Sequence, residues 1–473
     1  MPKRGRRTLV IGAVALAASG GVTRVVGAVY RVLLVRIAGA EVLGLFQMTM
    51  PLYRLAFSVA TMGLQVAVVR LVADGLGRKR PQDVRAYVRS SLGAVAVSGL
   101  TVALLLALGA PQLAMFLFKD ERLAPVIACL GALLIPAAMS AVLRGIVQGS
   151  GNMPYIAAAN AAEAVIRVPG VVVALSVFLP AGMGPAATGI VAGMLAGELG
   201  SLAILGVKAR STVAGLAQRP GAALLDSRPS WRHSRALFRL GIPAMMSGLL
   251  NSVMGLINAA IIPRRLLIAG LTQSQATQAF GQMSGMVVPM LYMPMMLVAP
   301  VTQVIIPAVA ERMARGMQEG VRRLLGKAFL VAGAIGLTSA GIFSLIPGQI
   351  GQILYGAPHI APLIRPLAVA APFVYLGAVA GGTLYGLGQT SAVMVNVLAG
   401  DLTRYAVTCA LVSNPAWGIL GAVWALTADC AVTAILNLSC LGWFMSEKGK
   451  GEVGEEERAG SGHGVWFDRA ANG

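Results

Sequence analysis

Apolar stretches parted by short polar loops follow one another along this chain from its first residues to about position 443. A helix needs roughly 20 apolar residues to cross the hydrocarbon core of a bilayer. Twelve stretches meet that length, at about 9–35, 43–72, 88–109, 123–147, 156–179, 184–207, 237–263, 278–306, 323–346, 360–385, 391–413 and 417–443. The pattern predicts an all-α polytopic membrane protein. The residues after Ser446 are polar, with Glu455, Glu456 and Glu457 in succession, and read as a disordered tail.

Composition agrees with the pattern. Of the 473 residues 57% are hydrophobic and only 12% charged, whereas soluble domains carry about 25% charged residues. No stretch reads as a separate soluble domain. The apolar run behind the basic N-terminus continues to about Val35 without a small-residue cleavage site, so it reads as a retained first helix and not a signal peptide.

The formal net charge of +20 would suggest nucleic acid in a soluble protein. Here the cations gather in short loops and at span ends, and no nucleic-acid partner is expected. With the N-terminus placed in the cytoplasm, 25 Lys and Arg fall at cytoplasmic loops and ends and 5 on the opposite side. That asymmetry predicts both termini in the cytoplasm and an even number of helices, in the inner (cytoplasmic) membrane.

The chain also repeats itself. Phe46-Gln47-Met48-Thr49 resembles Gly281-Gln282-Met283-Ser284, and Val72-Ala73-Asp74 resembles Val309-Ala310-Glu311. Val84-Arg85 pairs with Val321-Arg322, Gln148-Gly149-Ser150-Gly151-Asn152 with Tyr385-Gly386-Leu387-Gly388-Gln389, and Arg167 with Arg404, each at an offset of 237. Two halves of six helices share one orientation, which places a substrate path at their interface. The organisation expected is an N-terminal lobe at 1–207, a basic cytoplasmic linker at 208–236, a C-terminal lobe at 237–443 and a tail at 444–473.

Eight arginines lie within the spans: Arg24, Arg31, Arg54, Arg70, Arg144, Arg167, Arg365 and Arg404. Arg70, Arg144 and Arg365 sit near span ends, where a long side chain snorkels to the interface. A mid-bilayer arginine costs about 2.5–3.5 kcal/mol or more, so the deeper ones need partners or a wet cavity. Glu163 precedes Arg167 by four residues and Asp401 precedes Arg404 by three, spacings that put acid and base on one helix face. Both read as structural or ion-coupling pairs. Arg24 and Arg31, seven apart, share a face of the first helix, and Arg54 lies at mid-depth in the second. At the 237 offset their equivalents are Ile261, Ile268 and Leu291, so this set belongs to one half only. Guanidinium forks match phosphate oxygens in bidentate fashion, which makes Arg24, Arg31 and Arg54 the candidate substrate-binding residues for a polyanion. Pairing with Glu198 or Asp429, the possible cavity acids, is the alternative role.

Other chemistry is sparse. Three histidines lie in loops or tail, the four cysteines sit inside spans without metal spacing, and no metal site, cofactor or catalytic residue is expected. Prolines occur within spans, three of them (Pro289, Pro294 and Pro300) in the eighth, where they would kink it.

Thr23-Arg24-Val25-Val26-Gly27-Ala28-Val29-Tyr30-Arg31, Ile37-Ala38-Gly39-Ala40-Glu41-Val42-Leu43-Gly44-Leu45-Phe46-Gln47-Met48 and Arg144-Gly145-Ile146-Val147-Gln148-Gly149-Ser150-Gly151-Asn152-Met153 resemble the MOP superfamily of flippases and exporters. Within it they are most similar to the polysaccharide-transport branch and its stage V sporulation protein B group. The resemblance covers residues 8–443 and is densest before 170. It implies a two-lobed bundle like that of MATE transporters, alternating access, and a lipid-linked oligosaccharide or peptidoglycan precursor as cargo, for cell-wall or spore-cortex synthesis. In the related lipid II flippases, arginines of the first two helices hold the diphosphate, the place Arg24, Arg31 and Arg54 occupy here. Those flippases have two further C-terminal helices forming a lipid groove, which leaves the place of a polyprenyl tail open with twelve. The partners implied are the lipid-linked anion and membrane lipids, with a coupling ion and cell-wall synthesis enzymes left open. Two other readings stand beside it: a multidrug or organic-cation antiporter, which should have a carboxylate-dominated cavity, and a membrane-embedded glycosyltransferase or ligase, which should have an acidic or histidine-bearing extramembrane loop.

Overall fold

The computed structural model describes residues 3–78, 80–217 and 231–446, and within them leaves out the side chains of 3–26, 28, 81, 216, 217 and 247. Residues 218–230 of the expected linker and 447–473 of the expected tail lie outside the description. The described residues are helical throughout, with no strand. In chain order the helices are α1 (Lys3–Thr61), α2 (Leu64–Gly77), α3 (Pro81–Leu108), α4 (Ala110–Leu113), α5 (Ala124–Gly149), α6 (Met153–Phe178), α7 (Met183–Ala217), α8 (Trp231–Ile268), α9 (Gln273–Gly281), α10 (Val288–Tyr292), α11 (Met295–Ala314), α12 (Gln318–Leu345), α13 (Pro347–Tyr355), α14 (Ala361–Gly386), α15 (Thr390–Leu411) and α16 (Gly418–Phe444).

Among the described residues, ten helical stretches are long and apolar enough to cross a membrane. The first of them, Val29–Gly77, has 49 residues. A straight helix of that length would measure about 73 Å, more than twice the hydrocarbon thickness. It is broken in two places. Gly39 has φ 78°, ψ 172°, and Met62 and Gly63 both have positive φ. Gly39 sits in backbone space that a side chain would strain, and it divides α1 where the sequence reading places the connection between spans 9–35 and 43–72. The count of twelve differs from ten at two places. Most of span 9–35 lies among residues whose side chains are left out, its described end being continuous with the following span, and α15, over the expected 391–413, carries Asn396, Asp401 and Arg404, which hold its apolarity below the others. The expected eighth span is not one helix. A π-helical turn at Gln282–Val287, the short α10 and a break at Met293–Pro294 divide it.

Contacts group the chain into two compact units, 1–286 and 287–473. In the first, α7 packs on α6 and α5, α5 on α3 and α2, and α8 on α1, α2 and α3. In the second, α14 is central, flanked by α12, α16 and α11, and α15 packs on α16. This grouping differs from the repeat-based boundaries because α8 and α9, which open the second repeat, pack on α1.

The repeat has geometric counterparts. The bounds of α3 shifted by 237 are those of α12, and the bounds of α5 shifted by 237 are those of α14. A Cβ added at Gly149 would stand 2.7 Å from the Val69 carbonyl oxygen and 3.0 Å from Val72 Cβ. At Gly386 it would stand 2.7 Å from the Ile306 carbonyl oxygen and 3.1 Å from Val309 Cβ. Those four neighbours are themselves 237 apart, so each half brings the same two helices into backbone contact through the same glycine. Gly149→Ala and Gly386→Ala should therefore destabilise alike, by about 1–3 kcal/mol each as overpacking does. Thermal melts of the detergent-purified variants check this; an unchanged melt for either would show that its contact relaxes freely.

Candidate functional site: a cation-lined cavity

The break at Gly39 turns α1 into two limbs, and each presents a stripe at helical spacing to one cavity of about 250 Å³. Gly27, Tyr30, Arg31 and Leu34 come from the first limb, and Leu43, Phe46, Gln47, Met50 and Arg54 from the second. Steps of three, four and seven residues keep such positions on one helix face. Arg167 of α6 and Met194 of α7 complete the lining. Arg31 is half-buried and Arg54 exposed. Among the described residues no carboxylate lines this cavity, and neither Arg31 nor Arg54 joins an ion pair. Arg24 is on the same limb, with a side chain outside the described residues.

Arg167 makes the ion pair that its spacing predicts, with Nη1 2.9 Å from Glu163 Oε1. It has a second face. Its guanidinium lies over the Tyr30 ring, 5.4 Å from the centroid, and its Nε is buried without a partner in the structure. The structure thus adds Arg167 to Arg31 and Arg54 as a third cation of the cavity. Spacing gave no sign of this, because it depends on α6 packing against the first limb of α1.

Arg144 departs from the expectation of snorkelling. It hydrogen-bonds Asn160 of α6 and, through Nη2 at 3.2 Å, Ser201 of α7, and it lies 3.8 Å from Glu163 Oε2. It ties three helices together inside the bundle. Glu163 is consequently shared between Arg144 and Arg167. Glu198 meets neither Arg31 nor Arg54 in this cavity. It lines a separate one of about 260 Å³ with Tyr53, Gln65, Ser140 and Arg144.

Residues 9–313 match the family model described as polysaccharide biosynthesis protein, a stretch that holds the whole of this cavity. The chain belongs to the polysaccharide biosynthesis protein family. Within the family's reach it is 28% identical over 436 residues to stage V sporulation protein B of Bacillus subtilis (strain 168), covering 91% of this chain and 83% of the relative. Its fold matches that of a multidrug resistance MATE family transporter of the MOP superfamily in an inward-facing conformation, with a TM-score of 0.72 at 16% identity over 90% of this chain and 96% of the other. The lipid II flippase MurJ, in an inward closed conformation, matches with a TM-score of 0.66 at 12% identity over 91% and 87%. The chain is a multi-pass α-helical membrane protein of MOP-superfamily fold.

In this family member the corner of α1 is held by a second polar cluster, which the sequence reading did not single out. Arg122 reaches Glu41 with Nη1 at 2.7 Å, and grips Asp120 with Nη2 at 2.7 Å and Nε at 2.9 Å. From α9, Gln273 donates to Asp120 at 3.1 Å, and Thr277 lies 3.4 Å from Arg122 Nη2. Beside it α9 and α1 touch backbone to backbone, since a Cβ on Gly281 would strike the Ala40 carbonyl and one on Gly44 the Thr277 carbonyl. Asp120 lies between the spans. Burial alone would raise its carboxyl, but the bonds from Arg122 and Gln273 hold it below the usual carboxylate range.

In the second unit the expected pair of Asp401 with Arg404 is not the one observed. Arg404 Nη1 lies 4.0 Å from Asp429 Oδ2 on α16, and Thr433 donates to Asp429 Oδ1 at 3.3 Å. The reason is close packing: a Cβ on Gly400 would overlap Thr433 and Asp429, so α15 lies tight on α16 and Arg404 crosses to it. No group of three or more metal-ligating side chains occurs among the described residues.

Proposed function

We propose that this protein is a flippase that carries a polyprenyl-diphosphate-linked oligosaccharide or peptidoglycan precursor across the cytoplasmic membrane by alternating access. The observation that carries the reading is the cavity bounded by Arg31, Arg54 and Arg167 with no carboxylate in its described lining. Arg31 and Arg54, in no ion pair among the described residues, need an anion, and their N–H forks, with the unpartnered Nε of Arg167 beside them, fit the oxygens of a diphosphate. Arg24, seven residues before Arg31, is included in the reading on sequence spacing alone. The relative named as a sporulation protein and the neighbour named as a lipid II flippase support a cargo of cell-wall or spore-cortex synthesis. Arg167, paired with Glu163 on α6, ties that helix to α1 through Tyr30, and Arg404–Asp429 ties α15 to α16.

In this reading the protein is a transporter and not an enzyme, with twelve spans, both termini in the cytoplasm, and the repeat halves 1–207 and 237–443 as the moving bodies. The asymmetry of 25 basic residues against 5 supports that orientation. The cavity's charge disfavours an organic-cation antiporter, because a cationic cargo would meet three arginines of which only Arg167 has an acid partner, Glu163. The test is transport by the purified chain in proteoliposomes loaded with a fluorescent polyprenyl-diphosphate sugar. Protein-dependent exposure of the sugar on the far leaflet is expected; transport of organic cations but not of this lipid would overturn the assignment.

A further inference from the structure

The cavity that Glu198 lines is unused by the cargo reading, and its chemistry is distinct. Tyr53 of α1, Gln65 of α2, Ser140 and Arg144 of α5, and Glu198 of α7 supply its polar groups. Ser140 is 1% exposed, and its hydroxyl has no partner beyond Glu198, with whose carboxyl it interacts. Glu198 joins no ion pair among the described residues. The charged and titratable groups that act on it are Glu163 and Arg167 from α6 and Arg144 from α5, with Tyr53 facing it from α1. Of the other elements that pack on α7, α3 carries Asp83, Arg85, Tyr87 and Arg89, all in its first three turns, and the turn at Glu121–Leu123 carries Glu121 and Arg122, while the turn at Leu179–Ala181 carries no titratable group.

An ionised carboxylate without an ion-pair partner is costly inside a membrane bundle. The site therefore favours an occupant that cancels its charge. Arg144 on the cavity wall repels a metal cation, whereas a proton turns Glu198 into a neutral acid that can donate to the Ser140 oxygen. Arg144 is also the first member of a chain of charges that ends in the other cavity. Its Nη2 is 3.8 Å from Glu163, and Glu163 is 2.9 Å from Arg167, which lies over Tyr30 beside Arg31 and Arg54.

We propose that Glu198 is a proton-binding site coupled through Arg144, Glu163 and Arg167 to the cation-lined cavity. With Glu198 ionised, Arg144 is divided between Glu198 and Glu163, and Glu163 holds Arg167. When Glu198 takes a proton from the aqueous phase, Arg144 turns wholly to Glu163, and Arg167 is released towards an anion. Protonation thereby tightens anion binding, and by linkage an anion in the first cavity promotes protonation in the second. The coupling rests on the anion-binding reading above; the proton site itself does not.

Infrared difference spectra of the full-length protein in lipid, collected across pH, test the site without any cargo. Wild type should show a protonated-carboxyl C=O band that disappears as pH rises. Glu198→Gln should lack it, and Ser140→Ala should keep it at a shifted frequency. The same band in a folded Glu198→Gln protein, its absence from wild type, or its removal by sodium at constant pH would overturn the proton assignment. Inorganic diphosphate, measured by calorimetry, then probes the coupling. Wild type should bind it more tightly at acid than at alkaline pH, within the roughly 5–150-fold range of coupled sites, and Glu163→Gln should abolish that dependence. Pronounced pH dependence surviving in Glu163→Gln would overturn the relay. Failure of wild type to bind diphosphate at any pH would instead strike the cargo reading, while the infrared result still decides the proton site.

Discussion

Arg31→Ala and Arg54→Ala are each expected to lower transport of a diphosphate-linked lipid by about a hundredfold while leaving the amount of protein in the membrane unchanged. Truncating one partner of a buried, hydrogen-bonded charge pair costs about 2–5 kcal/mol, and about 2.7 kcal/mol corresponds to that factor. The free protein should tolerate both changes, because neither side chain is in an ion pair among the described residues and Arg54 is exposed. Arg→Lys at the same positions keeps the charge but loses the bidentate fork, so an intermediate loss is expected. Arg167→Ala is a less selective probe, since it also strips Glu163 of its 2.9 Å partner and should lower stability as well as transport. The measurement is initial rate in proteoliposomes, scaled to folded protein. Wild-type rates in both alanine variants would remove the diphosphate role from these arginines.

Arg122→Ala should destabilise the fold by about 3 kcal/mol, the lower end of the roughly 3–5 kcal/mol range for breaking a buried pair, because the Arg122 side chain is 33% exposed. The substitution leaves Glu41 and Asp120 without the guanidinium they share, and Asp120 is 3% exposed. It also unties the corner of α1 from the turn before α5 and from α9. Arg122→Lys should recover part of the loss, since an ammonium cannot hold both carboxylates in fork geometry. The effect has a defined pH dependence. Asp120 is held below its ordinary range in the folded protein, so its contribution is complete above the unfolded value near 4 and falls as pH drops through the folded one. The stability gap between wild type and Asp120→Asn should accordingly narrow in acid. Chemical or thermal unfolding in detergent reads both quantities; a gap that widens on acidification would contradict the assigned linkage.

The same corner is closed by α9, which meets α1 through backbone contacts that only glycine allows.

Much of this protein could be read from its sequence. Apolar runs of about 20 residues determine a helical membrane bundle, because backbone polar groups in lipid must be satisfied within each segment. Loop charge determined the orientation proposed, and the offset of 237 anticipated helix bounds that coincide for α3 with α12 and for α5 with α14. The pairing of Glu163 with Arg167 was legible because it is local, four residues along one helix. Arginines confined to the first half pointed to a site before any cavity was seen.

What the tertiary structure alone decided involves helices far apart in sequence. Arg167 joins Arg31 and Arg54 only because α6 packs on the first limb of α1. Arg404 turns from Asp401 to Asp429 because Gly400 lets α15 close on α16. Arg144 links three helices where its position near a span end suggested snorkelling, and Glu198 lines a cavity of its own. Helical periodicity assigns residues to a face, but it carries no information about which other face lies opposite. That is fixed by close packing of small residues and by the cost of leaving a charge unpaired in the bundle. The arginines were therefore visible in the chain; the cavities they share were not.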